Sequence, residues 1–381
     1  MRPLFRSLVI ASSLFGSTAA LAADAKQEQA APQVQKAQRP TLDVVFVLDT
    51  TGSMSGLIEG AKQKIWSIAS RLASGTPAPR IRVGLVAYRD RGDEYVTKRF
   101  ELSEDLDAVY ANLQRFSAGG GGDGPEHVGQ ALGEAVSLMQ WSQDAKTARM
   151  IFLVGDAPAH DDYQDGWNTK VWAKNAIQKG IVVNTVRCGA DATTGALFAE
   201  LSKLADGTYV SIAQSGGMVA VATPFDGDIK KLNDEIADTT VTGGDMAVRR
   251  EAAAELNAYK GMGAGVLADR TSFRTKSAPA AAPMVSVKAK GSISLNADPS
   301  KVNAMKDEEL PEALRELPKD EREGYVRKLN DEQKAAQGKL VELSKKRDEW
   351  IKANSGKKAD SFDDQVFAGV KKSAEKIGVA Y

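Results

Sequence analysis

The sequence predicts an α/β fold: a doubly wound, mainly parallel sheet flanked by helices, followed by a mostly helical C-terminal extension. Three observations lead there. The apolar runs Val44-Val45-Phe46-Val47-Leu48 and Met150-Ile151-Phe152-Leu153-Val154 are continuous rather than alternating, the pattern of strands buried on both faces. Helical periodicity separates such runs, so strands and helices alternate and right-handed crossovers follow. Both runs then stop at a carboxylate, near Asp49 and at Asp156, at the sheet edge where open α/β folds bind ligands.

The chain has 381 residues and 43% hydrophobic content, enough for one large domain and a smaller one. Lys+Arg and Asp+Glu both number 50, so no charge bias indicates nucleic acid, and no polybasic block indicates an anionic membrane surface. Residues 1–22 read as a secretory signal: Arg2 and Arg6, an apolar stretch from Leu8 to Leu21, and an Ala20-Leu21-Ala22 cleavage site. The mature chain is therefore expected in the periplasm or secreted, with no transmembrane segment. Cys188, the single cysteine, cannot close an intrachain disulfide and reads as a buried strand thiol.

Residues 23–40 are rich in Ala, Gln, Lys and Pro and form an expected disordered leader. After the strand Val44–Leu48, the loop Asp49-Thr50-Thr51-Gly52-Ser53-Met54 leads into a helix carrying Ile58, Ile65, Ile68 and Leu72. Asp49, Thr51 and Ser53 alternate along the loop and can aim one carboxylate and two hydroxyls at one point. Oxygen ligands of this kind suit a hard divalent cation, Mg²⁺, Ca²⁺ or Mn²⁺. The plainer reading, in which the hydroxyls only cap the helix, stays open from the loop alone.

A second strand is expected over Ile81–Tyr88, with Tyr95–Phe100 beside it as an antiparallel edge, then a helix over Leu106–Phe116. The next loop, Ser117 to His127, has four consecutive glycines, then Asp123, Pro125 and Glu126, and opens the helix of Val128, Leu132, Ala135 and Leu138. It lacks the Gly-Lys-Ser/Thr of a phosphate cradle, and its carboxylates would repel phosphate.

The strand Met150–Val154 ends at Gly155-Asp156, followed by an acidic group of Asp161, Asp162 and Asp165 around His160. A helix (Trp172–Lys179), a strand (Ile181–Val186), a helix (Leu197–Leu204) and a strand (Thr208–Ile212) complete the alternation. Ser53, Asp156 and His160 do not make a hydrolytic triad, because no nucleophile elbow surrounds the serine. Arg91-Gly92-Asp93 spells an integrin-binding tripeptide but reads more simply as a polar turn between strands.

Residues of roughly 41 to 224 resemble a von Willebrand factor type A domain, and Asp49, Thr51 and Ser53 meet the Asp-x-Thr-x-Ser variant of that family's metal-ion-dependent adhesion site. The resemblance implies that Ser53 and Thr51 ligate a cation through their hydroxyls while Asp49 and Asp156 act largely through bound water. At the second loop most members supply a Thr, whereas this chain has Gly-Gly-Gly-Asp-Gly-Pro-Glu. Asp123 is the candidate ligand there, with Glu126, His160 and Asp161 as a possible rim.

Beyond the domain, 225–275 is expected as a helical extension, with helices over Phe225–Ala237, packed on the sheet, and Ala247–Tyr259. Residues 276–284 form a linker, and 285–381 a short hairpin (Val285–Ala289 with Ile293–Leu295) and a helical region. The helix Asp320–Ala353 carries Val326, Leu329, Gln333, Ala336, Leu340, Leu343, Arg347 and Trp350 at three-four spacing. That weak coiled-coil seam is expected to pack on Phe362–Ile377, or else to join two copies of the chain.

The functional expectation is an exported, non-enzymatic protein-binding module that uses a divalent cation, its protein ligand unidentified. The alternative is a structural or assembly protein of the cell envelope acting through its C-terminal helices, with the A-type domain as scaffold.

Overall fold

The computed structural model describes residues 39–217, 221–278, 282–354 and 362–381. The expected signal peptide and nearly all of the expected leader lie outside the described residues. Six strands form one sheet in the order β3-β2-β1-β4-β5-β6. They are β1 (Thr41–Asp49), β2 (Arg80–Tyr88), β3 (Thr97–Ser103), β4 (Thr147–Gly155), β5 (Ile181–Cys188) and β6 (Tyr209–Ile212). All pair in parallel except β3, which runs antiparallel along β2 as the edge expected there, from Thr97 rather than Tyr95.

The alternation of side chains explains the unbroken apolar run of β1. Val44, Phe46 and Leu48 enter the core on one face, while Val45 and Val47 enter the core on the other. The first face is covered by α1 (Ser55–Ala73) and α2 (Leu106–Gln114), the second by α3 (Val128–Ser137), α4 (Thr169–Gln178) and α5 (Ala192–Leu204). Aspartate and asparagine caps start three of these helices. Asp105 accepts from Ala108 N, Asn168 from Val171 N and Asp191 from Thr194 N. Cys188 is fully buried in β5, and burial pushes its thiol pKa well up, so it is an inert core residue.

The C-terminal region departs from expectation in three places. First, α6 (Asp226–Asp238) does not pack on the sheet. It joins α7 (Met246–Lys260), α8 (Ala264–Ser277) and α10 (Lys319–Asn354) in a separate core of Ile229, Ile236, Tyr259, Leu267, Ala336 and Leu340. Second, no hairpin forms over 285–295. Only Ile293–Ser294 (β8) is a strand, and it pairs with Thr242–Gly243 (β7), because Val285 is spent in the helical core instead.

Third, α10 does not pair with the last helix. The helix α9 (Glu312–Arg315) precedes α10 and adds Leu314 to a small cluster with Val326 of α10. Buried seam positions Val326, Gln333, Ala336, Leu340 and Arg347 of α10 are occupied within the chain. Gln333 Nε2 donates to Ile236 O at 3.2 Å and Thr240 Oγ1 at 3.0 Å, and Arg347 pairs with Asp226 at 2.7 Å and Asp269 at 2.8 Å. The last helix, α11 (Phe362–Glu375), lies instead on the first face of the sheet. Phe362 stands 6.1 Å from Phe46, and Val366, Val370 and Ala374 are fully buried in the same core. Gly369 allows the close approach there, since a Cβ would lie 3.1 Å from the Phe152 ring. Lys64 and Arg71 of α1 bind Asp363 and Asp364 at the start of α11.

Candidate metal centre

The first loop is bent back by its own carboxylate. Thr51 donates its backbone N–H (2.8 Å) and its hydroxyl (2.6 Å) to Asp49 Oδ1, and Ser53 Oγ lies 3.4 Å from Thr51 Oγ1. Neither hydroxyl caps a helix: the short 3-10 turn Gly52–Met54 and α1 both start without a side-chain cap. The two oxygens are instead gathered beside Asp49, which separates the capping reading from the ligand reading.

The other two loops are stitched to this one. Arg89 donates to Thr50 O (3.1 Å) and Ser117 O (2.8 Å), and Gly119 N donates to Thr50 O (3.1 Å), which draws the glycine loop over the end of β1. Gly121, at φ +86°, faces Thr51: a Cβ there would lie 3.5 Å from Thr51 Cβ, in a backbone conformation side chains rarely adopt. Glu126 N donates to Pro158 O and His160 N to Glu126 O, so the second and third loops form a short parallel bridge. Gly155 lets β4 close up on β1, since a Cβ would strike Tyr88 Oη and sit 3.3 Å from Asp49 Oδ2. The result is a cleft of ≈ 380 Å³ lined by Thr51, Ser53, Gly121, Asp123, Glu126 and Asp156.

Its electrostatics are unfavourable as they stand. Asp49 is fully buried, and its pKa is pushed up to about 7, first by burial and then by Asp156, against the Thr51 hydrogen bonds. The Asp156 carboxylate is thus near enough to disfavour the charged form of Asp49. Glu126 is 3% exposed, and burial, followed by Asp49, Asp90, Asp93 and Asp123, pushes it to about 9. Asp49 Oδ2, Asp156 Oδ1, Glu126 Oε2 and Asp90 Oδ1 are buried without a hydrogen-bond partner. Buried acceptor oxygens without donors suit a nearby group carrying positive charge, and an all-oxygen set is that of a hard cation. These residues therefore fit a divalent ion.

Not every expected residue takes the same part. Asp123 lines the cleft, but its carboxylate is exposed and lies 3.3 Å from His160 Nε2, while the buried acid of the second loop is Glu126. Sequence reading placed Glu126 on the rim, because nothing in Gly-Pro-Glu tells which acid turns inward. His160 stacks on Tyr163 at 4.2 Å and forms with Asp90 and Asp123 a group whose ligand atoms lie within 4.8 Å of one another. Asp90 was not singled out from sequence; its position at the end of β2, in register with the end of β1, was the available signal. Asp161 binds Thr169 N and Oγ1 and so fixes the start of α4 rather than the cleft. In the Arg91-Gly92-Asp93 turn, Asp93 accepts from Gly121 N and Arg91 pairs with Asp165, so the tripeptide is engaged internally.

Residues 43–224 match the family model of the von Willebrand factor A domain. An alpha-protein kinase, vwkA, of Dictyostelium discoideum is 29% identical over 122 residues, 31% of this chain and 19% of the kinase. This chain thus spans about a fifth of that relative's length. Among solved structures, the hypothetical protein BatB of Bacteroides thetaiotaomicron aligns at 18% identity and TM-score 0.33, over 45% of this chain and 90% of BatB. The VWA domain of SpRpn10 aligns at 14% identity and TM-score 0.36, over 47% of this chain and 91% of that domain.

Proposed function

We propose, from the premise that residues 43–224 are a von Willebrand factor A domain, that this chain is a protein-binding module whose binding face is completed by a divalent cation. Domains of this family commonly mediate protein interactions. The reading is carried by one observation: three loops bring the buried, unpartnered oxygens of Asp156 and Glu126 to one cleft with Thr51 and Ser53, and the Thr51 hydroxyl there bonds the buried Asp49. Ser53 and Thr51 would hold the ion through hydroxyls, Asp49 and Asp156 would hold it directly or through water, and Glu126 and Asp123 would add charge at the second loop. The ion, Mg²⁺, Ca²⁺ or Mn²⁺, supplies an electrophilic point to which an oxygen of a partner protein binds. Several carboxylates around it tighten the ion and weaken its pull on an acidic partner, so a neutral oxygen ligand is favoured.

On this reading the protein is not an enzyme and acts outside the cytoplasm, in the periplasm or secreted, as residues 1–22 suggest. Among the described residues no helix is long and apolar enough to cross a membrane. Assembly through the C-terminal helices is less favoured, because buried positions of the α10 seam are already filled by α6 and α8. The test is capture of partner proteins from envelope extract with and without EDTA. Capture lost in EDTA and in Ser53→Ala supports the proposal; capture unaffected by both favours the helices.

A further inference from the structure

We propose that Gln214 is a positioning residue of the cation site, holding Asp156 in its ion-binding orientation. This inference rests on the cation-binding reading of the cleft. Gln214 Nε2 donates to Asp156 Oδ2 at 2.6 Å and to Ser53 O at 3.3 Å. Its side-chain amide thus spans the first and third loops, and it is the donor to the Asp156 carboxylate among the described residues. With Oδ2 taken, Oδ1 is the oxygen left buried and unpartnered towards Asp49.

Two carboxylates this close repel, and an unrestrained Asp156 relieves the repulsion by rotating away into solvent. A neutral amide that grips one oxygen opposes that rotation without adding charge or occupying a ligand position. The ordering cost is then met before the ion arrives, which raises affinity.

Gln214 can do this because its own turn is fixed. Gly189, at φ +72°, leaves room for the amide: a Cβ there would lie 2.3 Å from Gln214 Oε1. Gly189 N donates to Ile212 O and Gly216 N to Ala213 O. Ser215 lies on α1 opposite Gly56, where a Cβ would be 3.3 Å away. Gly216 O accepts from Phe362 N at 3.1 Å, which ties the turn to the start of α11.

The test uses the full chain with Gln214→Met, which keeps length without the donor, and Gln214→Ala. Dissociation constants for Mg²⁺ and Mn²⁺ are measured by calorimetry, and the melting temperature is measured without metal. Both variants are expected to bind either ion about tenfold more weakly, because the ordering of the Asp156 side chain then falls on the binding step, with a nearly unchanged metal-free melting temperature since the lost hydrogen bond is solvent-exposed. Wild-type affinity in Gln214→Met overturns the proposal, as does a lowered metal-free melting temperature with affinity intact, which marks a strut. A wild-type chain that binds neither ion fails the reading beneath it, and this inference with it.

Discussion

Asp49 at the end of β1 and Asp156 just past the end of β4 face each other across two parallel strands, each with one carboxylate oxygen buried and unpartnered. Without a cation this pair costs stability; on the proposed reading a cation would turn it into a ligand set. Asp49→Asn should therefore have effects of opposite sign. It should stabilise the metal-free chain by about 1–3 kcal/mol at neutral pH, because a neutral amide replaces a buried like charge. It should also abolish stabilisation by Mg²⁺ or Mn²⁺. Denaturant melts with and without metal measure both effects. A variant that destabilises the metal-free chain contradicts the electrostatic account.

Arg270 of α8 forks onto Asp107 of α2, with Nε 2.7 Å from Oδ1 and Nη2 2.9 Å from Oδ2, and so clamps the helical extension to the sheet and its helices. Burial acts to raise the Asp107 pKa, but the Arg270 fork and Lys288 outweigh it and hold the carboxyl below its ordinary value. A lowered carboxyl pKa gives stability that is present above the unfolded value and lost as pH falls through the folded one. Asp107→Asn should cost about 3 kcal/mol at pH 7, since it leaves the buried Arg270 without its counter-charge. The gap to wild type should close as pH falls below the ordinary carboxylate range and through the lowered Asp107 pKa. Unfolding followed across pH for both chains checks this.

Arg347 is 2% exposed and binds Asp226 of α6 and Asp269 of α8 together. Arg347→Ala strands the buried Asp226 and the partly buried Asp269 and should cost about 3–5 kcal/mol. Arg347→Lys should recover only part of that, since one ammonium cannot reproduce the fork. Chemical denaturation of the three chains gives the ranking.

A chain ending at Asn354 removes α11 and uncovers Phe46 and Phe152. The buried side chains of Phe362, Val366 and Val370 are each worth roughly 1.5–3 kcal/mol, so the truncated chain should melt far lower or bind a dye for exposed apolar surface. An unshifted melting temperature would show that α11 is dispensable to the sheet.

The fold and the first loop were legible because their signals are local. β1 and β4 are apolar on both faces, and Asp49, Thr51 and Ser53 lie within five residues. The C-terminal half was less legible because its pairings span long separations. The polar seam positions Gln333 and Arg347 looked like flaws in a coiled coil, yet they are hydrogen-bond and ion-pair partners of α6 and α8, 97 and 121 residues away for Ile236 and Asp226. Helical spacing shows that a face is apolar and not what covers it, so α11 could not be placed on the sheet. In the second loop, the sequence pointed to Asp123 as the ligand and left Glu126 on the rim. The backbone bridge from Glu126 to Pro158 and His160, which turns Glu126 inward, has no sequence signature.

The central claim is that Asp49, Ser53 and Asp156 share one divalent ion. The most direct measurement is the melting temperature of the chelator-stripped full chain titrated with Mg²⁺, Ca²⁺ and Mn²⁺, beside Ser53→Ala and Asp156→Ala. The account predicts a rise for at least one ion that grows with the logarithm of its concentration, worth about 2.7 kcal/mol at a hundred times its Kd, and none in either variant. A wild-type curve that no divalent ion moves, or a rise that both variants retain, would contradict it.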